Sequence, residues 1–240
     1  MTIYQLEFII FCSKITTHKK CEIRRGKYSY MEKKKNISMA VIKRLPKYHR
    51  YLNELLKNDI DRISSKELGE KIGFTASQIR QDLNCFGDFG QQGYGYNVKE
   101  LYNHISMILG INKTYNTIIV GAGNIGQAIA NYKFDRLGMR LCAIFDSNKN
   151  IVGQKVKGIE VKDIVKLEDY LSENKVSIGI ICVPKENAQE VCDRMTNNGI
   201  KGIWNFAPID LEVATDVRVE NVHLSDSLMT LIYMLCSVQE

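Results

Sequence analysis

Between Ile37 and Asn58 the apolar side chains return every three or four positions. Val41, Ile42, Leu45, Tyr48, Leu52, Leu55 and Leu56 share one face, which predicts an amphipathic helix with Pro46 near a bend or a restart. The run "DIDRISSKELGEKIGFTASQIRQDLNCFG" shortens the pattern to two brief helices. Ser64 or Ser65 caps the first, with Glu67 placed to assist, Leu68 and Ile72 as its apolar face and Gly73 as its stop. Thr75 caps the second, turning Ile79, Leu83 and Phe86 inward and Ser77, Gln78, Arg80 and Gln81 outward. "GDFGQQGYGYNV", with Gly87, Gly90, Gly93 and Gly95, reads as a β-hairpin or wing, and a helix at about Val98 to Leu109 follows. Beyond Lys113 the pattern changes to short, nearly continuous apolar runs, "TIIV", "RLCAIFD", "VSIGIICVP" and "IKGIWNFAP", suited to strands of a parallel sheet buried on both faces. Helical stretches alternate with them: "IGQAIANYKF", with Ile125, Ala128, Ile129 and Tyr132 at helical spacing, and "KENAQEVCDRMTNNG", closed by Gly199. The last segment, "LSDSLMTLIYMLCS", is apolar on almost every side and must be covered on more than one face. A core helix of the same chain is its ordinary explanation.

Chemistry enters where the first of these strands ends. Gly121, Gly123 and Gly126 have GxGxxG spacing between a β-branched strand and a helix. The first glycine permits the turn, the second lets backbone approach a pyrophosphate, and the third lets the helix pack on the strand. Asp146, twenty residues after Gly126, closes the second strand, where an acid holds the ribose hydroxyls of NAD and repels the extra phosphate of NADP. An empty Rossmann domain or a CoA-type nucleotide site is the alternative reading. Pro184 and the Asn205 to Pro208 loop fall at carboxyl ends of strands, where ligands sit, although a purely structural role for these loops stands equally.

Two capped helices joined by a glycine turn make a helix-turn-helix, whose second helix presents its N-terminal half to a major groove. Gln78 suits adenine, Arg80 suits guanine or phosphate, and Thr75 and Ser77 suit phosphate oxygens. The candidate DNA-facing residues are Ser65, Lys66, Thr75, Ser77, Gln78, Arg80, Gln81, Gln92 and Tyr94. Taken alone, this segment also fits a plain helical subdomain. Charge tempers the reading: of the net +6, the arm over residues 1–36 has nine Lys+Arg against three Asp+Glu, residues 37–110 ten against eight, and the remainder fourteen against sixteen. The arm lacks periodicity and reads as disordered, either adding phosphate contacts or being an upstream extension, since Met31 and Met39 follow it. Its opening "MTIYQLEFIIFCSK" is interrupted by Glu7 and has neither a basic region nor a cleavage site, so a cytoplasmic location is expected, and no run approaches the ~20 apolar residues of a membrane span. Seven scattered cysteines without CxxC indicate neither zinc nor a disulfide framework.

"RLPKYHRYL", "ISSKELGEKIGFTASQIRQDL", "GYGYNV", "GAGNIGQAIANY", "AIFD", "VGQKVKG", "CVP" and "GIKGIWNFAP" stand in one order from about Ile37 to the end, and in them the chain resembles the Rex family of redox-sensing transcriptional repressors. The resemblance implies an α/β protein: a basic arm over 1–36, a winged-helix DNA-binding domain over 37–112, a Rossmann-type doubly wound parallel sheet over 113–222, and a C-terminal helix over 223–240 that crosses to a second protomer in a swapped homodimer. It implies binding to a double-stranded, A·T-rich, pseudo-palindromic operator, release by NADH, compatibility of NAD with DNA binding, and control of fermentation and respiration genes. The dinucleotide residues would be Gly121, Ala122, Gly123, Asn124, Ile125, Gly126, Asp146, Val183, Pro184 and Asn205, with Tyr132 responding to the nicotinamide state. Arg50 matches an arginine linking the two domains. Two departures stand out: Gln91 and Gln92 replace basic wing residues, and His223 stands where relatives carry an aspartate that pairs with the arginine matching Arg50, leaving Asp226 as a substitute partner. Between Lys113 and Asn221 there is no histidine and no inserted substrate domain, which disfavours a hydride-transferring enzyme. The alternative is an NAD-dependent dehydrogenase or a CoA-binding protein whose N-terminal helices merely dimerise it.

Overall fold

The computed structural model describes residues 37–87, 89 and 94–237; the arm over 1–36 and the wing positions Gln91 and Gln92 lie outside these described residues. The chain divides into two compact units between Gly110 and Ile111.

In the first unit, helix α1 (Met39–Lys57) runs unbroken through Pro46. The helix does not restart there: a mid-helix proline costs about 3 kcal/mol, and burial of Leu45, Tyr48 and Leu52 along the same face outweighs it. Strand β1 (Arg62–Ile63) leads into α2 (Ser65–Ile72), α3 (Ala76–Asn84), β2 (Tyr96–Asn97) and α4 (Val98–Leu109). Ser64 and Glu67 form a reciprocal capping box on α2, and Gly73 closes it in the left-handed conformation at φ 77°. Thr75 caps α3 and Asn97 caps α4. Leu68, Ile79, Leu83, Leu101 and Ile105 meet the α1 face in a single core. The strand that follows the glycine-rich loop, β2, pairs antiparallel with β1, Ile63 opposite Tyr96, across the whole helix-turn-helix.

The second unit is a seven-stranded sheet in the order β5-β6-β4-β3-β7-β8-β9. Its strands are β3 (Tyr115–Val120), β4 (Met139–Asp146), β5 (Lys155–Val156), β6 (Ile159–Asp163), β7 (Ile178–Ile181), β8 (Gly202–Asn205) and β9 (Arg218–Asn221). Only β5 is antiparallel. With that edge hairpin set aside, the six parallel strands lie in the order 3-2-1-4-5-6 counted along the chain, a doubly wound Rossmann sheet whose order reverses between β3 and β7. Ile118, Val120 and Phe145 pack on one face beneath α6 (Leu167–Glu173) and α7 (Lys185–Asn197), while Ile119, Ile144 and Ile180 pack on the other beneath α5 (Asn124–Asn131). Alternate strand residues thus serve two cores, which is why the strands read as continuous apolar runs. The last element, α8 (Leu224–Cys236), buries none of its residues. Leu228, Met229, Ile232 and Leu235 are each at least half exposed, so the expectation of a core helix within one chain is overturned.

Candidate functional site

The order reversal in the sheet opens a crevice at the carboxyl ends of β3 and β7, and the glycine turn lies there. Gly121 takes φ 99°, and a Cβ on it would stand 2.4 Å from the Cys182 carbonyl oxygen. A Cβ on Gly126 would stand 1.8 Å from the Gly121 carbonyl oxygen. Both positions therefore require glycine for the turn and the helix to coexist. Gly123 differs: it has an ordinary φ of −71°, and a Cβ there would meet nothing within 4 Å. It is the N-cap of α5 without a side-chain capping bond, so the first backbone N–H groups of that helix, on Asn124, Ile125 and Gly126, face outward as anion donors. The open space beside Gly123 and the N–H donors of the helix start fit a pyrophosphate.

Asp146, at the tip of the neighbouring strand, is tied to the same turn. Its Oδ2 accepts from the Ala122 N–H at 2.6 Å and its Oδ1 from the Asn148 N–H at 2.7 Å, which leaves acceptor positions on both oxygens for a ribose diol. Val183 and Pro184 follow β7 on the opposite wall, Pro184 exposed as the N-cap of α7. Burial pushes the adjacent Cys182 thiol up to about 12, which keeps it in the protonated form. Tyr132 ends α5, is 61% exposed, and packs at 4.4 Å centroid distance on Phe134, which meets Trp204 edge-on. Asn205 has its side chain fully buried, donating to the Ala207 and Ile209 carbonyls and to Asn221 Oδ1 while accepting from the Ala207 N–H. It organises the loop after β8, and burial turns its side chain toward that loop.

On the first unit, α3 presents Ser77, Arg80 and Gln81 outward, with Lys66 of α2 exposed beside it. Arg80 Nη1 donates to Ser65 Oγ at 2.9 Å, joining the two helices of the motif. The Thr75 hydroxyl accepts from the Gln78 N–H as the helix cap. Tyr94 is 69% exposed, and its carbonyl accepts from Arg62 Nη1; Gln92 lies outside the described residues. Gln78 does not simply face out: it is half-buried, and its Nε2 donates to Asp82 Oδ1 at 2.9 Å.

Asp82 is a residue that the sequence reading missed. Fully buried, it accepts Arg44 Nε at 2.6 Å and Nη2 at 2.7 Å, and the Tyr48 hydroxyl at 2.6 Å. Desolvation drives its carboxyl upward, but the hydrogen bonds from Arg44, Tyr48 and Gln78 prevail and hold it below the ordinary range. The network clamps α3 to α1 and sets the amide of Gln78. Its position between Ile79, Leu83 and Phe86 on the inward face was the available sign in the sequence.

Arg50 is exposed on α1 and lines a polar groove with Lys47, Glu54 and Lys71. His223, just before α8, lies 3.2 Å from Asp210 Oδ1 within its own unit, and the Asp226 N–H bonds the His223 carbonyl. Among the described residues no helix is long and apolar enough to cross a membrane.

Comparisons with known proteins agree with this geometry. Two family models match: "Putative DNA-binding protein N-terminus" over residues 36–84 and "CoA binding domain" over residues 112–209. A Redox-sensing transcriptional repressor Rex of Clostridium perfringens (strain SM101 / Type A) is 72% identical over 206 residues, 85% of this chain and 97% of that protein. One of Clostridium tetani is 69% identical over 211 residues, 88% of this chain and all of the relative. Among solved structures, RSP in complex with beta-NAD+ and operator DNA has 62% identity and a TM-score of 0.81, covering 86% of this chain and 95% of that one. RSP in complex with beta-NADH has 59% identity and a TM-score of 0.80, covering 86% and 97%.

Proposed function

The chain belongs to the Rex family of redox-sensing transcriptional repressors, and from that premise we propose that it represses transcription as a homodimer on an A·T-rich, pseudo-palindromic operator and leaves it when NADH binds. The observation that carries this reading is the presence, on one chain, of an open glycine cradle beside Asp146 and an outward-facing recognition helix. RSP, described as a Rex-family repressor, has been solved with each of the ligands that this reading requires. Regulation of fermentation and respiration genes in the cytoplasm follows from the family resemblance.

No catalytic role is assigned. The crevice offers the Asp146 carboxylate, tied to the Ala122 N–H and suited to a ribose, and the thiol of Cys182, which burial keeps protonated. The nicotinamide ring supplies the redox state to be read, with Tyr132 at the end of α5 as the group that responds. The exposed apolar length of α8 supports a dimer in which that helix is covered by the partner. The two arrangements of the dimer differ in whether two recognition helices match successive major grooves. A tenfold bias between them needs only about 1.4 kcal/mol of differential affinity.

Fluorescence anisotropy on an A·T-rich palindromic duplex at fixed salt, titrated separately with NADH and NAD, tests the reading. Release by NADH at concentrations where NAD leaves the complex intact is expected; no binding to any such duplex would return the enzyme or CoA alternatives. Arg80→Ala is expected to weaken operator binding about 10- to 100-fold while NADH affinity stays unchanged. A parallel fall of both would mean that the substitution acts on folding. Asp146→Ala is expected to weaken NADH roughly tenfold, through loss of the ribose contacts and of the Ala122 tether, with the operator affinity of the free protein intact. Calorimetry showing unaltered NADH binding would remove Asp146 from the site.

A further inference from the structure

Asp146 has an acidic neighbour. In the parallel ladder between β4 and β6, Asp146 stands directly opposite Asp163, so two aspartates end adjacent strands whose backbones run about 5 Å apart. Lys149 arises three residues after Asp146, in a loop fixed by bonds from the Asn148 N–H to Asp146 and from the Asn150 N–H to Asn148 Oδ1. A cation in this loop is placed to meet a 2′-phosphate on the adenosine ribose. Instead, Lys149 Nζ donates to Asp163 Oδ2 in a close ion pair. Because β6 lies on the far side of β4 from β3, that pairing draws the ammonium outward, away from the crevice.

We propose that Asp163 is a second determinant of the choice between NADH and NADPH, acting by holding Lys149 away from the ribose edge that Asp146 marks. This rests on the reading of the glycine turn and Asp146 as a dinucleotide site. Asp163 contributes in two ways: its charge adds to the repulsion of a 2′-phosphate, and it pairs with Lys149, the cation of the loop that follows Asp146. Lys149 in turn holds the Asp163 carboxyl below the ordinary carboxylate range. Asp163 Oδ1 also accepts from the Val165 N–H at 3.1 Å, a turn-capping bond that asparagine preserves. Asp163→Asn therefore removes the charge and releases Lys149 without dismantling the turn.

The test is calorimetric titration of the full-length protein with NADH and with NADPH, in the wild type, Asp163→Asn, Lys149→Met and the double variant. Asp163→Asn is expected to tighten NADPH about tenfold and leave NADH within about twofold. In the Lys149→Met background, the gain from Asp163→Asn is expected to shrink to about threefold or less, since only the lost repulsion remains. An unchanged NADPH-to-NADH ratio in Asp163→Asn, with NADH still bound, overturns this proposal alone. An undiminished gain without Lys149 also overturns it, because the restraint on that lysine is then irrelevant. Failure of the wild type to bind NADH overturns the dinucleotide reading, and this proposal with it.

Discussion

Gly123→Val folds and melts as the wild type does and yet loses NADH, and with it the release from operator. The expectation follows from the difference between three glycines in one turn. At Gly121 and Gly126 a Cβ collides with backbone carbonyl oxygens, so substitution there damages the fold and any loss of binding is uninformative. At Gly123 the backbone is one that any residue adopts, and a side chain would enter empty space. That space is where a pyrophosphate approaches the N–H groups of α5, and two methyl groups in it keep the phosphates beyond hydrogen-bonding distance. The loss of affinity should be roughly 100-fold, or about 2.7 kcal/mol. NADH binding can be followed by quenching of Trp204, the chain's single tryptophan. Operator affinity without cofactor should be unchanged, so the variant behaves as a repressor that NADH does not relieve. A lowered melting temperature would show that Gly123 is structural like its neighbours, and unchanged NADH affinity would place the dinucleotide elsewhere.

That turn was legible because its constraints are local: one backbone angle, one close packing contact and one open face lie within six residues. The caps at Ser64 and Thr75 and the stop at Gly73 were legible for the same reason. Features that depend on residues distant in the chain were not. Pro46 reads as a break because its cost is local, whereas the burial of Leu45 and Tyr48 that outweighs it is supplied by other helices. Strand β2 has two residues, too few for any period, and its partner lies before the helix-turn-helix. Strand β9 reads "RVEN", without the apolar run that marks the other strands, because it closes an edge of the sheet. For Asn205 a ligand role and a structural role stood equally by its place at a strand end, and burial with four hydrogen bonds shows how it ties the loop. The apolar girth of α8 announced that it must be covered, and a single chain does not say by what.

Asp82→Ala should have the largest effect on the first unit, because it removes the shared acceptor of three side chains. Arg44 and Tyr48 lie 38 and 34 residues before Asp82, so the clamp is the main polar tie between α1 and the recognition helix. Without the carboxylate, the guanidinium of Arg44 keeps only the water that its 21% exposure allows, and the Tyr48 hydroxyl is buried without a partner. Breaking a buried pair from one side costs 3–5 kcal/mol in general, and partial solvation of Arg44 puts this one at about 3. Operator binding should fall by more than the stability loss alone explains, since Gln78 also loses the group that orients its amide. Replacing the cluster by apolar groups, Arg44→Met with Tyr48→Phe and Asp82→Leu, separates the two effects: stability should return while operator affinity does not. Recovery of both would make the clamp a stabilising device without a part in recognition. The carboxylate also sets an acid limit. Its folded value is depressed, so its contribution is complete above the unfolded aspartate range near about 3.9 and fades as pH falls through the lower folded value. Circular dichroism melts between pH 2 and 5 should show a steeper loss of stability in the wild type than in the apolar triple variant, and equal slopes would mean that other carboxylates govern the acid transition.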